Sequence, residues 1–314
     1  MIGLGHLARC SGLLNALLTK GVSSVLLTED NEVSGAFLRD QNSVIYENRS
    51  RLTDVSNWPP ASMYIVDLYD YDPALYLDLK RNNKCVIYIY DDENHVIPDG
   101  VDGVINPNIY ANDNEYPGVQ ALCGMQYYVF REEIIHARKQ CAPEEDYVFV
   151  CMGGSDPEQM TSVVATAISE VSEKSIVAVL GDPDEIQMDR LMKIRNLSLH
   201  IRPSDFASLM TGARYAVTGA GSIAYELAYL RKPMILIQLA ENQKMIAESF
   251  GKQDGVVNLG DFRCFSNKTI QEAVAEVESG DNVTAKIDFS LGTGGAERLA
   301  EKLLFSARNM DEHS

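Results

Sequence analysis

Short apolar runs rich in β-branched residues alternate with longer segments of helical periodicity along most of this 314-residue chain. Such alternation predicts parallel sheets covered by helices, because a strand buried on both faces reads as a continuous apolar run and its crossover reads as an amphipathic helix. In the first half it predicts a helix over 6–20, strands over 22–28, 64–67, 85–90 and 103–106, and a further strand near 126–130. The stretch 134–146, "IIHARKQCAPEED", loses apolar periodicity, gains charge and contains Pro143, and it reads as a linker. A second series follows at once, with strands over 147–152, 176–180, 197–201, 214–218 and 234–239 and helices over 158–171, 222–230, 242–250 and 295–306. The expected architecture is α/β with two Rossmann-like domains, 1–140 and 141–314, facing a central cleft. Ligands of such sheets bind beyond the carboxyl ends of the strands, so chemistry is sought in the loops that follow strands.

Charge narrows the partners. With 45 acidic against 27 basic residues the chain carries a formal charge of −18, which argues against a nucleic-acid surface or docking on an anionic membrane. An anionic ligand would need a local site built from helix N-termini and a few placed cations. The six cysteines, at 10, 85, 123, 141, 151 and 264, have neither CxxC pairing nor zinc-like spacing and read as core thiols of a reducing compartment. No membrane-length apolar run or signal-peptide pattern is visible, so a cytoplasmic protein is expected.

Four loops carry candidate chemistry. In Gly3-Leu4-Gly5-His6 the histidine stands at a predicted helix N-terminus, where the macrodipole disfavours imidazolium and keeps a basic nitrogen suited to activating water; the alternative is a glycine turn with an incidental histidine. Gly153-Gly154-Ser155-Asp156-Pro157 follows the strand "YVFVCM": Ser155 or Asp156 can cap the next helix and Pro157 can occupy its first turn, but the paired glycines suggest a ligand lying against the backbone. Thr218-Gly219-Ala220-Gly221-Ser222 again joins strand to helix. Position 225 is Tyr, so no capping box claims Glu226, which is either aimed at ribose hydroxyls past a bound diphosphate or a solvated surface glutamate. In the fourth loop, Glu241-Asn242-Gln243, Asn242 either caps a helix or, with Gln243, recognises sugar hydroxyls and amides.

Together with these loops, "IGLGHLARC", "YIVDLYDYD", "YDDENH", "INPNIYA", "CGMQYYVFREE", "VFVCMGGSDP", "TGAGSIAYELAYL" and "LAENQ" stand in one order over nearly the whole chain. In that order and spacing the chain resembles the UDP-2,4-diacetamido-2,4,6-trideoxy-β-L-altropyranose hydrolases of pseudaminic acid biosynthesis, which have a GT-B fold and serve flagellin or surface glycan modification. The resemblance implies His6 as general base, with Gly5, Arg9 and Tyr69 on the sugar side, and Gly153, Gly154, Ser155, Gly221, Ser222, Glu226, Asn242 and Gln243 holding UDP and sugar. Tyr69 matches the family pattern "DHYG", whereas Asp70 replaces its glycine. Arg9 orients either the base or the leaving group, or forms a surface ion pair. Asp91-Asp92 looks like a divalent-metal pair, but the resemblance implies neither metal nor cofactor, and a post-strand turn is expected there.

The implied reaction is inverting, metal-independent hydrolysis at the anomeric carbon by a monomer. Family members place a strand ahead of the first glycine loop, where only Met1 and Ile2 stand here, and loss of such a strand is expected to leave backbone groups of the sheet unpaired. Two other readings share the glycine loops: a GT-B glycosyltransferase acting on an acceptor alcohol, and a non-catalytic nucleotide-sugar binder.

Overall fold

The computed structural model describes residues 4–68, 72–93, 95–140, 143–154, 156, 158–280 and 294–311. The chain divides into two units, Met1–Arg131 with Ser290–Ser314, and Glu132–Phe289.

In the first unit, α1 (Leu4–Thr19) is followed by β1 (Leu26–Glu29), α2 (Glu32–Phe37), β2 (Val44–Glu47), α3 (Arg49–Leu52), β3 (Met63–Val66), α4 (Ala74–Asn82), β4 (Val86–Tyr90), β5 (Gly103–Asn106) and β6 (Gln120–Cys123). Strands β3 to β6 form one parallel sheet in chain order, and β1 and β2 form a second parallel pair. A doubly wound sheet of this connectivity sets one strand between β1 and β3. Among the described residues β1 pairs only with β2, and β3 only with β4. Every residue of β4 and β5 is buried, as the apolar runs "VIYIY" and "GVIN" require of strands covered on both faces. Leu75, Tyr76 and Leu79 of α4 pack with Ile87 and Val104 on one side, while Leu13 of α1 packs with Tyr88 and Ile105 on the other.

The second unit runs α5 (Glu132–Gln140), β7 (Tyr147–Cys151), α6 (Met160–Ser169), β8 (Ser175–Leu180), α7 (Glu185–Leu191), β9 (Leu197–Ile201), α8 (Phe206–Gly212), β10 (Tyr215–Gly219), α9 (Ser222–Tyr229), β11 (Met234–Gln238), α10 (Lys244–Phe250), β12 (Val256–Asp261) and α11 (Asn267–Ser279). Its six parallel strands lie in the order β9-β8-β7-β10-β11-β12, so the strand order reverses between β7 and β10. That switch point is where a doubly wound sheet opens a crevice at its carboxyl edge, and the loops after β7 and β10 are the two glycine loops. Thr218 on β10 stands opposite Cys151 on β7, and its buried hydroxyl donates to the Cys151 carbonyl at 2.6 Å, locking the two strands together just before both loops.

Four expectations are corrected. Most of the supposed linker is helical: α5 buries Ile134 and Ala137, three apart on one face, and its Glu132–Glu133 start and Arg138–Lys139 end match the helix dipole. The last helix, α12 (Gly295–Asp311), groups with the first unit, because Leu299, Ala300 and Leu303 complete the core formed by Leu13, Tyr88 and Ile105. Residues 126–130 form no strand despite their aromatic content. Gly124 turns the chain at φ +93°, residues 125–127 make a 3-10 turn, and the Gln126 carbonyl accepts Arg298 Nε at 2.9 Å. The start of α12 lies so close to this segment that a Cβ on Gly295 would stand 2.0 Å from the Tyr128 carbonyl oxygen. The sheet position falls instead to β6, a few residues earlier. Of the cysteines, Cys85, Cys123 and Cys151 are buried, but Cys264 is exposed and is no core thiol.

Candidate functional site

At the carboxyl edge of the first sheet, side chains from four places meet. α1 begins at Leu4, so Gly5 and His6 lie within its first turn and not in a preceding loop. Gly5 is exposed, with no atom of the described residues within 4 Å of where a Cβ would stand, and His6 is mostly buried. His6 Nδ1 lies 2.8 Å from Oδ1 of Asp67, the first residue after β3. Arg9, one turn further along α1, donates Nε to Asp67 Oδ2 at 2.7 Å and Nη2 to Asp67 Oδ1 at 2.6 Å. Its Nη1 reaches both oxygens of Asp92, just past β4, at 3.0 and 2.9 Å. The guanidinium lies 4.3 Å from the centroid of the Tyr90 ring. Beyond β5, Asn108 Nδ2 donates to Asp92 Oδ1 at 3.1 Å and to Asn106 Oδ1 at 2.9 Å.

Burial alone would raise the pKa of Asp67, but the charge and hydrogen bonds of Arg9, with the His6 bond, outweigh it and hold the carboxyl well below the usual range. Burial likewise opposes the charge on Arg9, and the two carboxylates overcome it. Cys10, whose thiol donates to Asp67 Oδ2 at 3.4 Å, is pushed far up by burial and then by that carboxylate, so it is an inert thiol here. Asp91 has a different task. Its carboxylate accepts the backbone N–H groups of Glu93 and His95, lies 2.8 Å from His95 Nδ1 and accepts the Tyr116 hydroxyl, which makes it the organiser of the post-strand turn. Tyr69 and Asp70 lie outside the described residues.

In the second unit the two glycine loops differ in what their helices offer. After β7, Gly153 adopts φ +115°, open to glycine only, and the Gly154 carbonyl lies where a Cβ on Gly181 would come within 2.3 Å. Asp156 then fills the N-terminus of α6: Oδ1 accepts Met160 N at 2.8 Å and Oδ2 accepts Thr161 N at 2.9 Å, while Gln187 Nε2 braces it. A carboxylate already occupies that helix start, so a phosphate there would meet like charge. Ser155 and Pro157 lie outside the described residues. After β10, among the described residues, no side chain caps α9, whose N-cap is Gly221. A Cβ on Gly221 would come no nearer than 3.7 Å to a neighbour, Gln243 Nε2, whereas on Gly219 it would stand 2.8 Å from Leu239 Cδ1 and 3.2 Å from the Met152 carbonyl. Gly219 thus serves packing, and nothing among the described residues demands a glycine at 221.

Ser222, the first residue of α9, is exposed, and Glu226 is 6% exposed, which removes the reading of a solvated surface glutamate. Asn242 caps no helix. It is exposed in the middle of a 3-10 turn, and the residue before α10 is Gln243, whose Oε1 accepts Leu239 N at 2.9 Å and closes the loop after β11. Sequence reasoning missed Asp67 and Asn108 and read Asp92 as part of a post-strand turn; the signal available was a polar residue at the end of a predicted strand or two places past it.

Two Rossmann-like units, each with its polar clusters or glycine loops beyond the carboxyl ends of parallel strands, define a GT-B fold. Solved structures agree: UDP-GlcNAc 2-epimerase of Methanocaldococcus jannaschii, in complex with UDP-GlcNAc and UDP, aligns at TM-score 0.66 and 11% identity over 95% of this chain and 96% of its own. MurG of Acinetobacter baumannii aligns at TM-score 0.60 and 10% identity over 98% and 96%. In sequence, the chain resembles the UDP-2,4-diacetamido-2,4,6-trideoxy-β-L-altropyranose hydrolases: the enzyme of that name from Campylobacter jejuni is 24% identical over 262 residues, covering 80% of this chain and 93% of the relative. The spore coat polysaccharide biosynthesis protein SpsG of Bacillus subtilis is 21% identical over 279 residues, covering 82% and 80%. No family model matches the chain.

Proposed function

We propose that this protein hydrolyses a UDP-linked 2,4-diacetamido-2,4,6-trideoxy sugar at its anomeric carbon, releasing UDP and free sugar for pseudaminic acid synthesis. The observation that carries the reading is the bond between His6 Nδ1 and the Asp67 carboxylate in the first turn of α1. A carboxylate on one ring nitrogen prepares the other to take a proton from water, and it faces the imidazolium that results. His6 is the general base; water attacks C1 from the face opposite the UDP oxygen, the C1–O bond breaks, and UDP departs with the bonding pair. The sugar is released with inverted configuration. Because the bond broken is to carbon, no metal is required to polarise a phosphoryl group.

The second unit holds the nucleotide. Its diphosphate takes the uncapped N-terminus of α9, beside Gly221 and Ser222, in preference to α6, where Asp156 already sits. Glu226 bonds the ribose hydroxyls, Gly153, Gly154 and Ser155 line the approach, and Asn242 and Gln243 meet the sugar amides. Gly5 and Tyr69 belong to the sugar side. Turnover in 18O-labelled water tests the bond assignment: label found on C1 of the free sugar supports it, and label found on the phosphate of UDP refutes it.

A further inference from the structure

We infer that Asp67, clamped by Arg9, is the positioning residue that sets the tautomer and orientation of His6, and that Arg9 acts inside this cluster and not on the leaving group. The inference rests on the assignment of His6 as base. Its evidence is a polar chain laid across the ends of three neighbouring strands: Asp67 after β3 and Asp92 after β4 are joined through one guanidinium, and Asn108 after β5 donates to Asp92. A carboxylate ionised this firmly can only accept, so the 2.8 Å contact requires the proton to be on Nδ1. Arg9 Nη2 also comes within 3.2 Å of Nδ1. With a proton on Nδ1 that approach is donor against donor and carries no bond; both N–H groups converge on Asp67 Oδ1. The tautomer with its lone pair on Nε2 follows.

Arg9 could not hold a diphosphate as well. Its Nε, Nη1 and Nη2 are all directed at two carboxylates. Two carboxylates and one guanidinium leave the cluster with net charge −1, which repels a further anion. The same arrangement suits the base, because proton transfer to His6 brings the cluster to neutrality. The side chains of Asp67 and Arg9 are 7% and 16% exposed, so little solvent competes for these bonds. A bidentate fork from Arg9 onto Asp67 fixes the carboxylate plane, and with it the direction in which Oδ1 meets the imidazole.

The test needs no substrate at first. In 15N-histidine-labelled protein at alkaline pH, His6, assigned by its disappearance in His6→Asn, should show a protonated Nδ1 and a bare Nε2. The opposite tautomer in the unaltered protein overturns the inference whatever the reaction turns out to be. In Asp67→Asn the tautomer preference should fall away, and kcat on the UDP-sugar should drop about 10²–10⁴-fold while affinity for UDP stays the same. Arg9→Lys keeps the charge but cannot span both carboxylates, so it should show a smaller loss of kcat, again with unchanged UDP affinity. A merely structural Asp67 would lower the unfolding temperature and leave tautomer and kcat per folded molecule untouched, and that outcome refutes the proposal. Absence of turnover in the unaltered protein would count against the hydrolase reading alone, because the tautomer measurement stands without it.

Discussion

His6 and Glu226 carry the account at the level of single residues. Replacing His6 with Ala should reduce turnover about 10²–10⁴-fold, the range for loss of a general base, with UDP affinity unchanged by calorimetry. Near-normal turnover would remove His6 from its role. Glu226→Gln should weaken UDP binding by about 1.5–3 kcal/mol, as expected when a hydrogen bond to a charged acceptor is lost. Equal affinity would return this buried carboxylate to a structural task within α9. Asp67 makes a separate prediction about pH. Its folded-state pKa is depressed, so its stabilising contribution is complete above the ordinary carboxyl pKa of about 4 and is lost as pH falls from there toward the folded value. The stability gap between the unaltered protein and Asp67→Asn, read from urea midpoints, should therefore be widest near neutral pH and shrink on acidification below about pH 4. A gap that grows on acidification would contradict the charge assignment. At this scale the sequence was informative where chemistry is local. His6 declares itself by its place at a helix start, but Asp67 comes 61 positions later and becomes its partner only when β3 delivers it beside α1. The motif "YIVDLYDYD" directed attention to the tyrosine and past the acid.

Elements decide which glycine loop can hold an anion. Asp156→Ala should cost α6 about 0.5–2 kcal/mol of stability through its lost cap and leave UDP affinity intact, since that helix start is already filled. Gly219 and Gly221 form a sharper pair. Alanine at 219 would push against Leu239 and the Met152 carbonyl and should lower the unfolding temperature, whereas alanine at 221 meets only an ordinary contact and should fold normally but bind UDP less tightly. Unimpaired UDP binding by Gly221→Ala would mean that no ligand approaches that backbone. The strongly periodic elements were legible in the sequence: β4, β5, β7, β10 and β11 are apolar runs and fall within one or two residues of where they are expected. Strands β2 and β12 were not, because β2 is four partly exposed residues and β12, "VVNLGD", spends half its length on Asn, Gly and Asp. The segment at 126–130 failed the other way, since aromatic β-propensity cannot say whether a neighbouring strand edge is available.

For the whole molecule, fold class follows from alternation, but which helix closes which core does not. α12 resembles any other amphipathic helix, and only the burial of Leu299 and Leu303 with Leu13 and Tyr88 assigns it to the first unit. The formal charge of −18 bears on function at this scale, because it leaves the anionic ligand dependent on a local backbone site. Among the described residues no helix is long and apolar enough to cross a membrane. The GT-B fold is shared by proteins of different reaction type, so it does not choose between water and an alcohol as the acceptor. Incubation with UDP-2,4-diacetamido-2,4,6-trideoxy-β-L-altropyranose in the absence of any acceptor, followed by NMR, makes that choice directly. The account predicts UDP and free sugar appearing together, with the anomer of inverted configuration formed first. A UDP-sugar that stays intact under these conditions, or is consumed only when an acceptor alcohol is added, would contradict it.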